Sequence, residues 1–147
     1  MKLVIQRVTS AQVNVDNETV GSISQGLCVF VGIKEGDSLM TVKKMAKKVA
    51  KLRIFSDTEG KMNLSVNDVD GEILSVSQFT LYGATKKGNR PSFIEAAAPE
   101  VANDLYEAFN SQLRSEGLTV ATGKFQTDMK VSIENDGPVT IVMEMTE

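Results

Sequence analysis

Ser77-Gln78-Phe79-Thr80-Leu81-Tyr82-Gly83 interrupts an apolar strand pattern with hydroxyl and amide groups, in a chain of 147 residues that contains no histidine. Groups of these types at a strand end suit acyl chemistry. A hydroxyl can attack a carbonyl, and backbone N–H groups released where a strand stops can face a developing oxyanion. Enzymes that cleave acyl bonds near neutral pH mostly draw the nucleophile's proton onto an imidazole, whose unperturbed pKa lies near the working pH. Without histidine that route is closed, and no Ser-His-Asp or Cys-His arrangement can form. What remains is backbone donors, a hydroxyl, a carboxylate or lysine with a displaced pKa, or a group brought by the substrate. Thr80 can act as nucleophile only if some group removes its proton, whereas a backbone oxyanion pocket demands no base. The structural alternative for Ser77, Gln78 and Thr80 is that they satisfy neighbouring backbone groups at a strand end.

A second unusual segment is Asn135-Asp136-Gly137-Pro138, flanked by two expected final strands, Met129–Asn135 and Val139–Met145. By default Gly137-Pro138 is a turn between two strands, with Pro138 withholding a ladder hydrogen bond. An X-Pro bond also adopts cis at low cost and then aims consecutive carbonyls where a trans chain cannot. The sequence leaves the isomer open. Two basic stretches invite phosphate. Lys86-Lys87-Gly88-Asn89-Arg90-Pro91 reads as a surface loop able to meet a nucleic-acid backbone, or as a solvated loop and nothing more. Lys44, Lys47, Lys48 and Lys51 share one helix face, most simply a solvated one, although their uniform sign keeps phosphate contact open.

Composition narrows the classes. The sole cysteine, Cys28, lies in Leu27-Cys28-Val29-Phe30-Val31 and reads as a buried free thiol in a reducing compartment. A formal net charge of −3 argues against nonspecific binding along nucleic acid without excluding a local basic patch. With no histidine and one cysteine, zinc lacks its usual nitrogen and sulfur ligands; a hard-cation site built only from carboxylates stays open without support in the sequence, and no metal is expected. Gly32-Ile33-Lys34-Glu35-Gly36 has the wrong spacing for a dinucleotide fold or a P-loop, so no nucleotide cofactor is expected either. No apolar run approaches membrane-spanning length, and the opening residues do not form a signal peptide, so a soluble cytoplasmic protein is expected.

The elements that must position these segments follow from periodicity. Val13 and Val15 alternate with polar residues before Asp16-Asn17-Glu18 and Thr19–Ile23, which predicts a hairpin. Gly26–Ile33 is apolar on both faces and reads as a central strand. Asp37 or Ser38 caps a helix carrying Leu39, Val42, Ala46 and Val49. Asp70-Gly71 turns into a strand over Glu72–Phe79, and Pro99 opens a second amphipathic helix with Val101, Leu105, Phe109 and Leu113, stopped at Gly117. At this length and with 41% hydrophobic residues, one domain over 1–147 is expected. The expected class is α+β, with layered mixed β-sheets and two principal amphipathic helices packed on one side.

Ser77-Gln78-Phe79-Thr80-Leu81 and Asn135-Asp136-Gly137-Pro138-Val139-Thr140 resemble the two signature motifs of the D-aminoacyl-tRNA deacylase (D-tyrosyl-tRNA deacylase) family. Gln6-Arg7-Val8, Gly26-Leu27 with Val31-Gly32-Ile33, Asn89-Arg90-Pro91-Ser92-Phe93, and Gly123 with Phe125 and Met129 are similar to that family in order and spacing. The likeness runs essentially end to end.

The resemblance implies an obligate homodimer that hydrolyses the ester between a D-amino acid and the 3′-terminal ribose of tRNA, and also acts on mischarged glycyl-tRNA. It implies that Ser77, Gln78, Phe79 and Thr80 form the catalytic segment, with the backbone amides of Gln78, Phe79 and Thr80 holding the reacting end and a ribose hydroxyl assisting the attack of water. Gly137 and Pro138 would enter the opposite subunit's site and reject L side chains sterically. Arg7, Phe125 and Met129 are assigned to substrate binding, Arg7 by orienting the Gly-Pro motif and the other two by lining the pocket for the terminal adenosine. Lys86, Lys87 and Arg90 would contact tRNA. Two rivals leave Gly137-Pro138 without a role: a module that binds the aminoacyl end without turnover, and a general esterase using the Thr80 hydroxyl.

Overall fold

Asp16 and Asn17 both sit at positive φ, 50° and 64°, which small polar side chains tolerate and a two-residue hairpin turn requires. The turn folds β1 (Lys2–Val15) back against β2 (Glu18–Ile23). β3 (Gly26–Gly32) then continues the same antiparallel partnership, from Ala11↔Ile23 through Val8↔Gly26 to Lys2↔Gly32. These contacts come from a computed structural model that describes residues 1–146.

On its other edge β3 pairs in parallel with β6 (Glu72–Ser77), and β6 pairs in parallel with β7 (Val120–Thr122). The free edge of β1 takes β8 (Lys130–Glu144), completing a six-stranded mixed sheet. Where β2 comes round to β7 the backbones nearly touch. A Cβ at Gly21 would lie 2.5 Å from the Thr122 carbonyl oxygen, so only glycine admits this approach. The expected layered sheets are thus one nearly closed sheet, with a separate two-stranded piece made by β4 (Phe55–Ser56) and β5 (Met62–Leu64).

Alternation along β3 divides the core. Leu27, Val29 and Val31 face the helices, while Cys28 faces the opposite cluster with Val8, Val13, Leu74 and Val76. Each such fully buried aliphatic contributes roughly 1.5–3 kcal/mol by leaving water. Burial also pushes the Cys28 thiol up to about 12, which keeps it protonated and inert.

Helix α1 (Leu39–Lys51) starts at Ser38, whose Oγ accepts from the Thr41 N–H at 3.2 Å, and buries Val42, Met45, Ala46 and Val49. Helix α2 (Pro99–Ser115) begins with proline, whose missing N–H costs nothing in a first turn, and its chain turns away at Gly117, φ +90°. Both helices contribute to one core with the sheet. The expected apolar stripes are rotated slightly. Leu39 and Val101 are half exposed, at 48% and 50%, because α2 packs through Ala102, Tyr106, Phe109 and Leu113, and Leu39 lies at the open start of α1.

Two strand boundaries differ from expectation. β6 stops at Ser77, and Phe79–Tyr82 winds into a single 3₁₀ turn. The two expected final strands are one continuous β8, which accommodates Gly137-Pro138 as a bulge instead of a connecting turn.

Candidate active site

β3 and β6 end together at Val31↔Ser77, and the Gln78 N–H extends the ladder by donating to the Val31 carbonyl at 2.8 Å. Leu81 N–H then donates to Gln78 O at 3.3 Å and Gly83 N–H to Thr80 O at 3.0 Å, closing the 3₁₀ turn. The N–H groups of Phe79 and Thr80 precede the first of these bonds, so the turn offers them no carbonyl. Of the three amides expected to hold a reacting group, the Gln78 N–H is therefore committed to the sheet, and those of Phe79 and Thr80 remain. The Thr80 hydroxyl accepts a short hydrogen bond from Gln78 Nε2.

Beside this turn lies a cavity of about 670 Å³. Ser77, Gln78 and Phe79 form one wall, Phe125, Met129 and Val131 another, and Ala96–Ala98 with Ala102 the side formed by α2's entry. Phe79 and Phe93 meet edge to face, centroids 5.2 Å apart, and stay 57% and 38% exposed at the rim. Phe125 packs at 6.3 Å from the Tyr106 ring, whose hydroxyl donates to Ser75 O at 2.7 Å and anchors α2 to β6. A Cβ at Gly123 would lie 2.6 Å from Met129 Sδ, so glycine there lets Met129 fold inward. Thr80 does not line the cavity, and Asp128 is its one ionisable lining residue. A wall of apolar side chains and unpaired main-chain donors can hold a planar or aliphatic group and polarise a carbonyl. It lacks an imidazole to move protons.

Phe93 and Ala96–Ala98 escaped the sequence reading as site residues. Alanine carries no chemical signal, and Phe93 stands in the sequence only as the end of the family-like Asn89-Arg90-Pro91-Ser92-Phe93 segment, an aromatic ring directly after a polar, proline-containing loop.

Gly137 and Pro138 lie elsewhere. Between Gln6↔Thr140 and Val8↔Asn135 the register slips, so Asp136 to Val139 stand against the single residue Arg7. The Gly137-Pro138 peptide is cis, and both residues are exposed. Gly137 has φ +127°, and a Cβ there would lie 2.8 Å from Val139 Cγ2 and 3.1 Å from Arg7 Nη2. Arg7 Nε donates to Asp136 O at 3.2 Å and sits 3.4 Å from Asp136 Oδ2, while Nη1 donates to Ile54 O at 2.9 Å. Asn135 Nδ2 closes the bulge by donating to Arg7 O at 2.9 Å and Val139 O at 3.0 Å. Arg7 is thus outside the cavity and clamps the bulge.

From Val131, which lines the cavity, to Gly137 the chain runs along β8 for six residues, roughly 20 Å at strand rise. Neither Gly137 nor Pro138 lines the cavity of its own chain. Lys86, Lys87 and Arg90 are exposed on a loop closed by the Ala84↔Ser92 bridge, and that loop leads directly into Phe93 at the cavity rim.

Comparison with known proteins is consistent along the whole chain. Residues 4–144 match the family model described as D-Tyr-tRNA(Tyr) deacylase. The chain is 59% identical over 145 residues to D-aminoacyl-tRNA deacylase of Lactobacillus acidophilus, covering 99% of this chain and 100% of that protein. It is 54% identical over 147 residues to the Bacillus pumilus protein of the same name, covering all of both. A solved structure described as "c-Myc DNA Unwinding Element Binding Protein" superposes with TM-score 0.93 at 44% identity, covering 100% of each chain. A second, of a probable eukaryotic D-amino acid tRNA deacylase, has the same fold with TM-score 0.85 at 18% identity, covering 98% of each chain.

Proposed function

The chain belongs to the D-aminoacyl-tRNA deacylase family and is a hydrolase; from that premise we propose a single-domain cytoplasmic homodimer that proofreads the chirality of aminoacyl-tRNA through main-chain groups. The observation that carries this reading is the pair of Phe79 and Thr80 N–H groups without carbonyl partners, in a turn that also forms the wall of an apolar cavity.

An aminoacyl ester is an activated acyl group, so stabilising its tetrahedral oxyanion is enough to accelerate attack by water. One such donor is typically worth about 10²–10³ in rate. The Phe79 and Thr80 amides supply the donors, and Ser77 and Gln78 shape the wall that holds the carbonyl. A hydroxyl of the terminal ribose orients the water. Phe125 and Met129 receive the terminal adenosine, and Lys86, Lys87 and Arg90 meet phosphates of the acceptor end, where duplex RNA is recognised by shape and backbone.

Selection comes from Gly137 and Pro138 of the second subunit. Their distance from the cavity of their own chain supports delivery in trans. Among the described residues β8 is an edge strand that pairs only with β1, and its inward apolar residues Ile133, Val139, Ile141 and Met143 are incompletely covered. Antiparallel approach of two such edges about a two-fold axis near Glu134, between the bulge and the cavity-lining Val131, sets each bulge against the cavity end of its partner. Facing the substrate's α-carbon, the bulge excludes an L side chain and makes no demand on a D one. Glycine has nothing to exclude, so glycyl-tRNA is also cleaved.

Deacylation of paired D- and L-tyrosyl-tRNA with chelator present tests the reading. Rapid release of D-tyrosine alone is expected. Equal release of both, or release of neither, overturns it.

A further inference from the structure

Helix α1 carries the largest concentration of unanswered charge in the molecule. Lys43, Lys44, Lys47, Lys48 and Lys51 are all exposed, and the helix contains no acidic residue, in a protein whose net charge is −3. The ion pairs among the described residues, Met1–Asp37, Arg7–Asp136 and Lys34–Glu95, involve none of these five. Favourable placement near a helix C-terminus accounts for Lys48 and Lys51 only. The i,i+4 spacings Lys43/Lys47, Lys44/Lys48 and Lys47/Lys51 are mutually repulsive and weaken the helix unless an anion lies against them.

The position of this stripe assigns the anion. Three residues past Lys51, the Ile54 carbonyl receives Arg7 Nη1, and the same guanidinium holds Asp136 of the Gly137-Pro138 bulge. The C-terminal end of α1 and the bulge therefore form one clamped unit. Lys51 and Lys47, about 6 Å apart along the helix axis, lead away from that clamp. Apart from Leu39 and Met40, exposed in its first turn, the apolar side of α1 is buried in the core, leaving nothing beside Lys47, Lys48 and Lys51 to insert into a lipid surface, so the fitting polyanion is a nucleic-acid backbone.

We infer that the lysine face of α1, chiefly Lys47, Lys48 and Lys51, grips phosphates of the tRNA whose aminoacyl end sits in the partner subunit's cavity. This rests on the proposed delivery of Gly137-Pro138 in trans. A bulge that enters the other subunit's site brings the end of α1 with it. Each tRNA is then held from both sides, by the Lys86–Arg90 loop of the subunit that cleaves it and by α1 of the subunit that screens it.

Lys47→Glu/Lys48→Glu/Lys51→Glu is expected to raise KM for D-tyrosyl-tRNA about tenfold at low salt, with kcat within about twofold. Its log KM against log salt should be shallower by about 2 to 3, since each lost phosphate contact removes a little under one unit. The triple Gln variant, which avoids reversed charge at the helix end, should show the same direction with a smaller change. Unaltered KM and slope in both overturn the inference.

A mixed dimer resolves the subunit. One chain carries Gly137→Ala, and the other carries Ala97→Trp to fill its cavity, so a single complete site remains. The lysine reversals should raise KM only on the Ala97→Trp chain. An effect confined to the Gly137→Ala chain places the lysines in cis and overturns the inference while leaving trans delivery intact. A mixed dimer that is inactive before any lysine is changed, beside an active and stereoselective wild type, overturns trans delivery and this inference with it.

Discussion

The cavity beside Phe79 and the bulge at Gly137-Pro138 are built on opposite principles. At the cavity, hydrogen bonding runs out: the ladder ends at Gln78, two N–H groups face no carbonyl, and apolar side chains line an open volume. At the bulge, hydrogen bonding is dense. Three side-chain bonds from Arg7 and Asn135 hold Asp136, Val139 and the Arg7 carbonyl, and a fourth ties Arg7 to Ile54. A receptacle gains reactivity from unmet donors, because they are already oriented and need no rearrangement when charge develops. A steric gauge gains selectivity from rigidity, because a loop that yields cannot reject a methyl-sized difference.

Damage to the rigid gauge should cost most. Gly137→Ala places a Cβ against Val139 and Arg7 at a φ that L residues avoid, and displacing the bulge by about an ångström should lower kcat/KM on D-tyrosyl-tRNA about 10²-fold. Activity near wild type would show that the bulge tolerates movement. Arg7→Ala comes next. It strands the Asp136 and Ile54 carbonyls, so chemical denaturation should report a loss of about 1.5–3 kcal/mol and the D/L ratio of kcat/KM should narrow about tenfold. A loss of stability with an undiminished ratio would make Arg7 structural only. The smallest effect belongs to the receptacle. Thr80→Ala removes a hydroxyl that is already bonded to Gln78 and leaves the amide in place, so kcat should stay within about fivefold of wild type. Its pH profile between about pH 6 and 8.5 should show no inflection, as should that of the parent. A loss near 10²-fold would make the hydroxyl a participant and favour the esterase reading.

The two regions were also unequally legible in the sequence. The cavity wall was found because polar residues interrupt an apolar strand. The sequence does not reveal that the Gln78 N–H is taken up by the sheet, because its acceptor, the Val31 carbonyl, is far away in the chain. The bulge read as a turn, since glycine and proline locally break strands. The clamp that lets β8 run on comes from Arg7 at the other end of the sequence. Periodicity located α1, α2, β3 and the first hairpin, whereas β4, β5 and β7, of two or three residues each, are too short to show any period. The helical faces were displaced by one position where packing, not hydropathy alone, chose Ala102 over Val101.

The donors offered at positions 79 and 80 are features of every codon but proline's, since nineteen of the twenty residue types carry the same N–H. A site specified in this way is largely insulated from point mutation. Side chains at the rim can drift and retune which nucleotide or amino acid is welcome, while the reactive feature is inherited with the fold itself.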